Sequence, residues 1–525
     1  MRSTAPPRHR AVDAFARRRP GRVQAAAPTP APAPTRAPAA TRALALARGT
    51  VPDPAPVRVL PLVLSLVLIL ALSLVLAGCG TRLPGSAFTA RATPGAGSPP
   101  GAGAPGSPNP ASDTGVTAAE IRIGIVTSLT SPVGSEVFSG PRYGAQAFFQ
   151  ALNDRGGLHG RTIRLVTCDD GGSGVGNQDC VHRLIDREHV FAFVSGSVLD
   201  YAGAPYVSGK GVPDVGGQPI GTAYDRWPHL YGIYGSGAPR DGRAVGWNGT
   251  LYQSTEVFRF FKQRMGAASA AVVAYNQADS ARYAGQLKAG LEAEGYRVLL
   301  QTVDFALPNF QAVAAAVRAD GSQLLFDAMD GRGNAALCRA LDEAGVTVAA
   351  KVTNVQNWSE SVRTDYASSP NCRNALWATS SSLNYEDERY PAVREFRAAM
   401  ARYYPDRAGQ LSAWELEGWA GAQWLTDALD SCGAAPTRSC VEAFMNRVEP
   451  YDAHGLILPA SFVPRPPPTG PTRACLNAAR WQDSAQVGQA GQSSQGGPVQ
   501  QGGWVTQVPS MATNCFDVPQ LPYKP

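Results

Sequence analysis

The sequence predicts an α/β protein built from two doubly wound, parallel-sheet lobes. Three observations lead there. From residue 116 to about 485, short apolar runs alternate with stretches of helical periodicity, the pattern of successive βα units. The series then restarts at "AAVVAY" (270–275). Finally, about 350 residues are too many for one open sheet and comfortable for two.

The first series opens with the apolar strand "IRIGIV" (121–126). A helix follows, with Ala145, Phe148, Phe149 and Leu152 at i, i+3, i+4 and i+7 on one stripe. "NDRGGLHG" (153–160) ends it with the glycines expected past a helix C-terminus. "RTIRLVT" (161–167) is the next strand; Val181, Leu184 and Ile185 stripe the next helix, and "VFAFVSG" (190–196) is a strand again. In the second series Tyr283, Leu287 and Leu291 line the helix after "AAVVAY", and "YRVLLQTVDF" (296–305) is the following strand. Phe310, Val313, Ala314 and Val317 stripe a helix, "QLLFDAM" (323–329) is a strand, and Leu337, Ala340, Leu341 and Ala344 stripe the helix behind it. Three more helices fit 390–448, with stripes Val393–Phe396–Met400 and Val441–Phe444–Met445–Val448. The stretch 484–503 is low in complexity and is expected to be disordered.

The N-terminal region is of another kind. Residues 59–77 are almost wholly apolar and end in Leu76-Ala77-Gly78-Cys79. Such a run fits an export signal or a membrane anchor. Small residues before a lone cysteine resemble the lipobox of bacterial lipoproteins, so Cys79 is expected to be acylated and to hold the protein on the lipid bilayer. Residues 79–115, rich in Gly, Pro and Ser, read as a disordered tether. Residues 1–58 form a basic Pro/Ala-rich extension; initiation downstream, at Val51 or Val57 if either codon is GTG, explains it most simply. That extension holds eleven of the 47 basic residues and two of the 41 acidic ones, leaving 36 against 39. A net charge near −3 gives no reason to expect nucleic acid as a partner.

Beyond Cys79 there are eight cysteines, an even number in an exported chain. They allow 105 connectivities. Neighbour pairing, Cys168–Cys180, Cys338–Cys372, Cys432–Cys440 and Cys475–Cys515, is expected. Zinc is the rival, disfavoured because no CxxC occurs and the six histidines are scattered.

"IRIGIVTSLTSP" (121–132) followed by "SGPRYGAQAFFQALNDRGGLHGRTIRLVTCDD" (139–170) resembles the opening of the type I periplasmic binding proteins, in the branch of the leucine/isoleucine/valine-binding proteins of ABC transporters. Its GARxAxxxINxxGGIxGxxIxLxxxDD pattern is met by Gly140, Tyr143, Gly144, Ala145, Asn153, Gly156, Gly157, Leu158, Gly160, Asp169 and Asp170. "AAVVAYNQADSARYAGQLKAGLEAEGYRV" (270–298) is similar to the opening of that family's second lobe. The resemblance implies two lobes joined by a three-strand hinge, with a ligand held in the cleft by hinge closure. It divides the chain into lobe 1 (116–243), lobe 2 (244–355), a return to lobe 1 (356–450), hinge and lobe 2 return (451–483) and a C-terminal segment (484–525).

Ligands of open parallel sheets bind at the carboxyl ends of the strands. Those ends are 128–131, 197–201 and 216–219 in the first lobe and 275–277, 327–330 and 356–358 in the second. The candidate ligand-binding residues are Ser128, Thr130, Asp200, Tyr201, Gln218, Tyr283, Asp330, Gln356 and Trp358. Tyr283 matches the family's cleft tyrosine. Asp200 and the hydroxyl-poor "DVGGQPIGT" (214–222) depart from the amino-acid-binding members, and neutral Gln356 falls where they carry an acid for the ammonium. The implied function is a solute-binding lipoprotein capturing a small polar solute (amino acid, amide or related) for an ABC permease. A sensor of the same fold, or an envelope protein without small-molecule binding, is the alternative.

No catalytic residue, cofactor or metal is expected. "GAPYVSGKG" (203–211) has the wrong spacing for a phosphate loop, "GGSGVG" (171–176) is out of register with GxGxxG, and neither GxSxG nor HExxH occurs. Asp169-Asp170 reads as a strand end with a turn cap. His182 and His189 read as surface residues. Trp414 and Trp424 read as core, with Trp419 able to reach the cleft.

Overall fold

The run Ile121–Val126 becomes the centre of β1 (Glu120–Thr127), with Ile121, Ile123 and Ile125 all buried. The computed structural model describes residues 109–131, 135–353, 355–487 and 500–525. The expected signal segment, Cys79 and most of the tether lie outside them. From β1 the chain runs through α1 (Ser135–Asp154), β2 (Thr162–Asp169), α2 (Gly174–His182), β3 (Ala192–Val194), α3 (Ala204–Gly209), β4 (Asp214–Gly217) and β5 (Leu230–Gly232). These five strands form one parallel sheet of order β2-β1-β3-β4-β5.

A crossing strand, β6 (Leu251–Ser254), leads to α4 (Glu256–Met265) and the second series. That series is β7 (Ser269–Tyr275), α5 (Ala278–Ala293), β8 (Arg297–Val303), α6 (Phe310–Asp320), β9 (Leu324–Ala328), α7 (Gly331–Glu343) and β10 (Ala350–Thr353). Two short helices, α8 (Val362–Asp365) and α9 (Pro370–Asn374), precede β11 (Leu376–Ser380). The parallel strands repeat the first sheet's topology as β8-β7-β9-β10-β11. β11 therefore belongs to the second sheet, which corrects the expected return to lobe 1 at 356: the chain leaves the second sheet only after Ser380.

The helices α10 (Pro391–Tyr403), α11 (Ala413–Ser431) and α12 (Arg438–Met445) follow, and α11 packs on α1 and β4. The expected stripe of α12 is too long by a turn, because the helix ends at Met445 and Val448 is 76% exposed. The chain then returns through β12 (Thr472–Cys475) to the antiparallel strands β13 (Asn477–Val487) and β14 (Gln500–Thr506) on the edge of the second sheet. Residues 484–487 and 500–503 of the stretch expected to be disordered are therefore strand, which corrects that expectation at both ends, and 488–499 lie outside the described residues. Last come β15 (Cys515–Val518), paired with β12, and β16 (Gln520–Tyr523), paired antiparallel with β6. All four expected disulfides form, Cys475–Cys515 joining β12 to β15.

The motif glycines of α1 have a packing reason. A Cβ on Gly144 would lie 1.8 Å from the Glu415 carbonyl oxygen, and one on Gly418 would lie 2.1 Å from that of Pro141. The two helix backbones touch there, and no side chain can yield. Gly144→Ala is expected to cost about 1–3 kcal/mol, the usual range for overpacking, read as a lower urea midpoint; an unchanged midpoint would show that the helices separate freely.

Candidate functional site

In the first lobe most expected residues bond to other groups of the protein and not to one another. Ser128 is fully buried; its Oγ donates to Asp170 Oδ1 at 2.7 Å and accepts from the Leu199 N–H at 3.1 Å. Asp169 accepts from the N–H of Gly171 at 3.0 Å and of Thr130 at 3.3 Å, and Asp170 from that of Gly172 at 2.9 Å. This is the turn-capping role expected of the pair. Thr130 and Asp200 are exposed at the same strand ends.

Tyr201 is committed away from any cleft. Its hydroxyl donates to Asp214 Oδ2 at 2.6 Å, as that of Tyr224 does at 3.0 Å. Asp214 is 1% exposed, and burial pushes its carboxyl up to about 6. A raised carboxyl pKa means that the folded state holds the proton more tightly than the unfolded chain. Its contribution is complete below the unfolded value near 4 and is lost as pH rises through about 6. Asp214→Asn keeps an oxygen for both tyrosines and does not titrate. The stability difference between wild type and this variant is therefore expected to move by about 2 kcal/mol between pH 4 and 7, in favour of the variant at the higher pH. Urea unfolding across that range checks it.

In the second lobe the expected residues separate. Asp330 caps α7, accepting from the Gly333 N–H at 2.8 Å and from the Tyr275 hydroxyl at 3.0 Å. Gln356 is half-buried in the turn Val355–Asn357. Trp358 is 0% exposed and packs on Trp504, with ring centroids 6.0 Å apart. It is core, not cleft, because β14 covers it. Trp419 is equally buried, packed on Phe148 and Phe396.

Tyr283 lines a cavity of about 320 Å³ at the carboxyl ends of β9, β10 and β11. The strands contribute Phe326, Asp327, Val352, Thr353, Thr379 and Ser380. Helix α5 adds Tyr283 and Leu287, and the crossing segment adds Gln253, Ser254, Glu256, Val257 and Phe258. Tyr234, just past β5, comes from the first sheet's side, while Cys475 and Leu476 come from the returning chain. This volume and mixture of apolar walls with a few polar groups suit a small molecule. Tyr283 is 40% exposed; partial desolvation of its hydroxyl, then the Asp327 charge, pushes it up to about 12, so it stays a neutral donor.

Two buried carboxylates border the cavity. Lys351 Nζ donates to Asp327 Oδ2 at 2.8 Å, both side chains being 0% exposed, and Asn334 Nδ2 donates to Asp327 Oδ1 at 2.9 Å. Glu417 on α11 is also fully buried, and it takes four donors instead of a cation. Tyr234 gives its hydroxyl at 2.9 Å, Gln218 its Nε2 at 2.9 Å, Ser382 its Oγ at 2.8 Å and Ser380 its Oγ at 3.2 Å. Gln218, an expected binding residue, thus supports the cavity through Glu417. Burial raises the Glu417 carboxyl, and these bonds oppose the rise. The sequence held one signal for Glu417: a charge on a helix face otherwise made of Ala413, Trp414, Ala420 and Gly421.

A family model described as periplasmic binding protein matches residues 120–486, well over half the chain. The chain belongs to that family. It is a family of binding proteins, not enzymes. As a periplasmic binding protein it superposes on a fatty acid ABC transporter substrate-binding protein from Thermomonospora curvata (TM-score 0.55, 17% identity, 77% of this chain and 96% of that one). It is similar to an ABC transporter solute binding protein of R. palustris in complex with benzoate (TM-score 0.55, 13% identity, 76% and 98%). It is also similar to a leucine binding protein, LivK, from Thermotoga maritima (TM-score 0.52, 15% identity, 69% and 95%). At such identities these structures share the fold with this binding protein, and the solute is not carried over. Among proteins of curated function none matches its sequence significantly.

Proposed function

We propose that this periplasmic binding protein captures a small solute in the cavity at the ends of β9, β10 and β11 and delivers it to an ABC permease, tethered to the outer face of the membrane through an acylated Cys79. One observation carries the reading. Thr353 is 3% exposed and lines the cavity, and its Oγ1 has no hydrogen-bond partner among the described residues. A buried hydroxyl without a partner costs about 1–3 kcal/mol, which a bound polar group recovers. The solutes named for the similar proteins, a fatty acid, benzoate and leucine, are small and chemically diverse. They support solute capture and leave its class to this chain's own lining.

Capture between two lobes means that the solute favours the closed form. The radius of gyration from solution scattering is expected to fall when the solute is added; binding with no change in radius would contradict hinge closure. Cys79→Ser is expected to move the exported protein from the membrane fraction to the soluble one, and continued retention would contradict the lipid anchor.

A further inference from the structure

We infer that the cavity takes a solute bearing an ammonium or similar cationic nitrogen on an apolar body, and disfavours carboxylates. The inference rests on reading the cavity as the ligand site. Among the described residues that line it there is no Lys, Arg or His, so no side-chain cation there pairs with an anion, which would have only hydroxyl and backbone or side-chain amide donors. Three carboxylates stand at or next to it. Asp327 is already matched by Lys351. Glu417 is one hydrogen bond behind the lining residues Tyr234 and Ser380, with no cation of its own. Glu256 is the exposed choice: it lines the cavity half-buried, accepts the Ser254 hydroxyl, and is raised by burial with no cation opposing the shift.

Glu256 is also the first residue of α4, the ten-residue helix whose positive end would otherwise favour an anion. That end is occupied by the protein's own carboxylate. A cation placed beside Glu256 gains a charge-assisted bond and relieves a desolvated charge. Tyr234 and Tyr283 line the same cavity and add aromatic side chains of the kind that attract a cation. Thr353 Oγ1 is the independent sign that a polar group belongs here, and Phe258, Phe326 and Leu287 provide an apolar wall for the remainder of the solute.

The test uses the full protein and matched probes at millimolar concentration: benzylamine and phenethylamine, benzoate and phenylacetate, and benzyl alcohol, read by thermal shift and calorimetry. Amines are expected to stabilise and acids are not. Glu256→Gln is expected to weaken the amines about tenfold while sparing benzyl alcohol, and Thr353→Val to weaken every probe that binds. An acid or neutral probe that binds best and is weakened by Thr353→Val overturns the charge preference and keeps the site. Binding that neither substitution changes, or no stabilisation by any probe, overturns both. Circular dichroism of each variant shows that a loss is not misfolding.

Discussion

Lys351→Met is expected to destabilise the protein by about 3–5 kcal/mol, the range for removing one partner of a buried ion pair. Lys351 and Asp327 are both wholly enclosed, and Asn334 bonds to each. Methionine fills much of the lysine's volume but leaves the Asp327 carboxylate buried with a single amide donor. The cost is then the desolvation of an unmatched charge and not the lost attraction alone. Two controls, Asp327→Asn alone and the double variant, separate these terms. The double variant Lys351→Met, Asp327→Asn removes the charge and is expected to regain most of the loss. Urea unfolding of the set gives the coupling directly. A single variant within about 1 kcal/mol of wild type would mean that water reaches the pair, since exposed pairs are worth about that much.

Removing Cys475–Cys515 is expected to cost up to about 4 kcal/mol. The bond closes a loop of sequence separation 40, and chain-entropy arithmetic for such a loop gives about that figure. The position makes the effect more than entropic. Cys475 lines the cavity, and β15 continues into β16, which pairs with β6 next to Gln253 and Ser254. Cys475→Ser with Cys515→Ser is therefore expected to weaken solute binding as well as stability. Binding that survives unchanged in a variant of lower urea midpoint would assign the disulfide to stability alone.

The residues carried much of this architecture on their face. "AAVVAY" is buried at every position, as a strand covered on both sides must be, and the stripe Phe310, Val313, Ala314 and Val317 is the buried face of α6. Those signals are local, and so is Asp169-Asp170, whose turn bonds reach only two residues along the chain. What failed depends on distant partners. Trp358 looked free at a strand end because its cover, Trp504, arrives on β14 far along the sequence. Tyr201 looked available because Asp214, which holds it, opens a buried strand where a carboxylate is seldom enclosed. Glu417 and Thr353 drew no notice, since burial, with four donors for the first and no hydrogen-bond partner among the described residues for the second, is a property of the packed molecule and not of a motif. Tyr283 was found by resemblance and Asp327 falls in the predicted strand end 327–330, while their other neighbours in the cavity were not found.

The most direct test is a thermal-denaturation screen of the wild type and Thr353→Val, side by side, against amines, amino acids, amides, aromatic acids, sugars and short peptides. A solute at about 100 times its dissociation constant should add about 2.7 kcal/mol of stability. One chemical class stabilising the wild type, with the effect reduced in Thr353→Val, is the predicted result. A cooperative transition that no class shifts, or one shifted equally in both proteins, would contradict solute capture in this cavity.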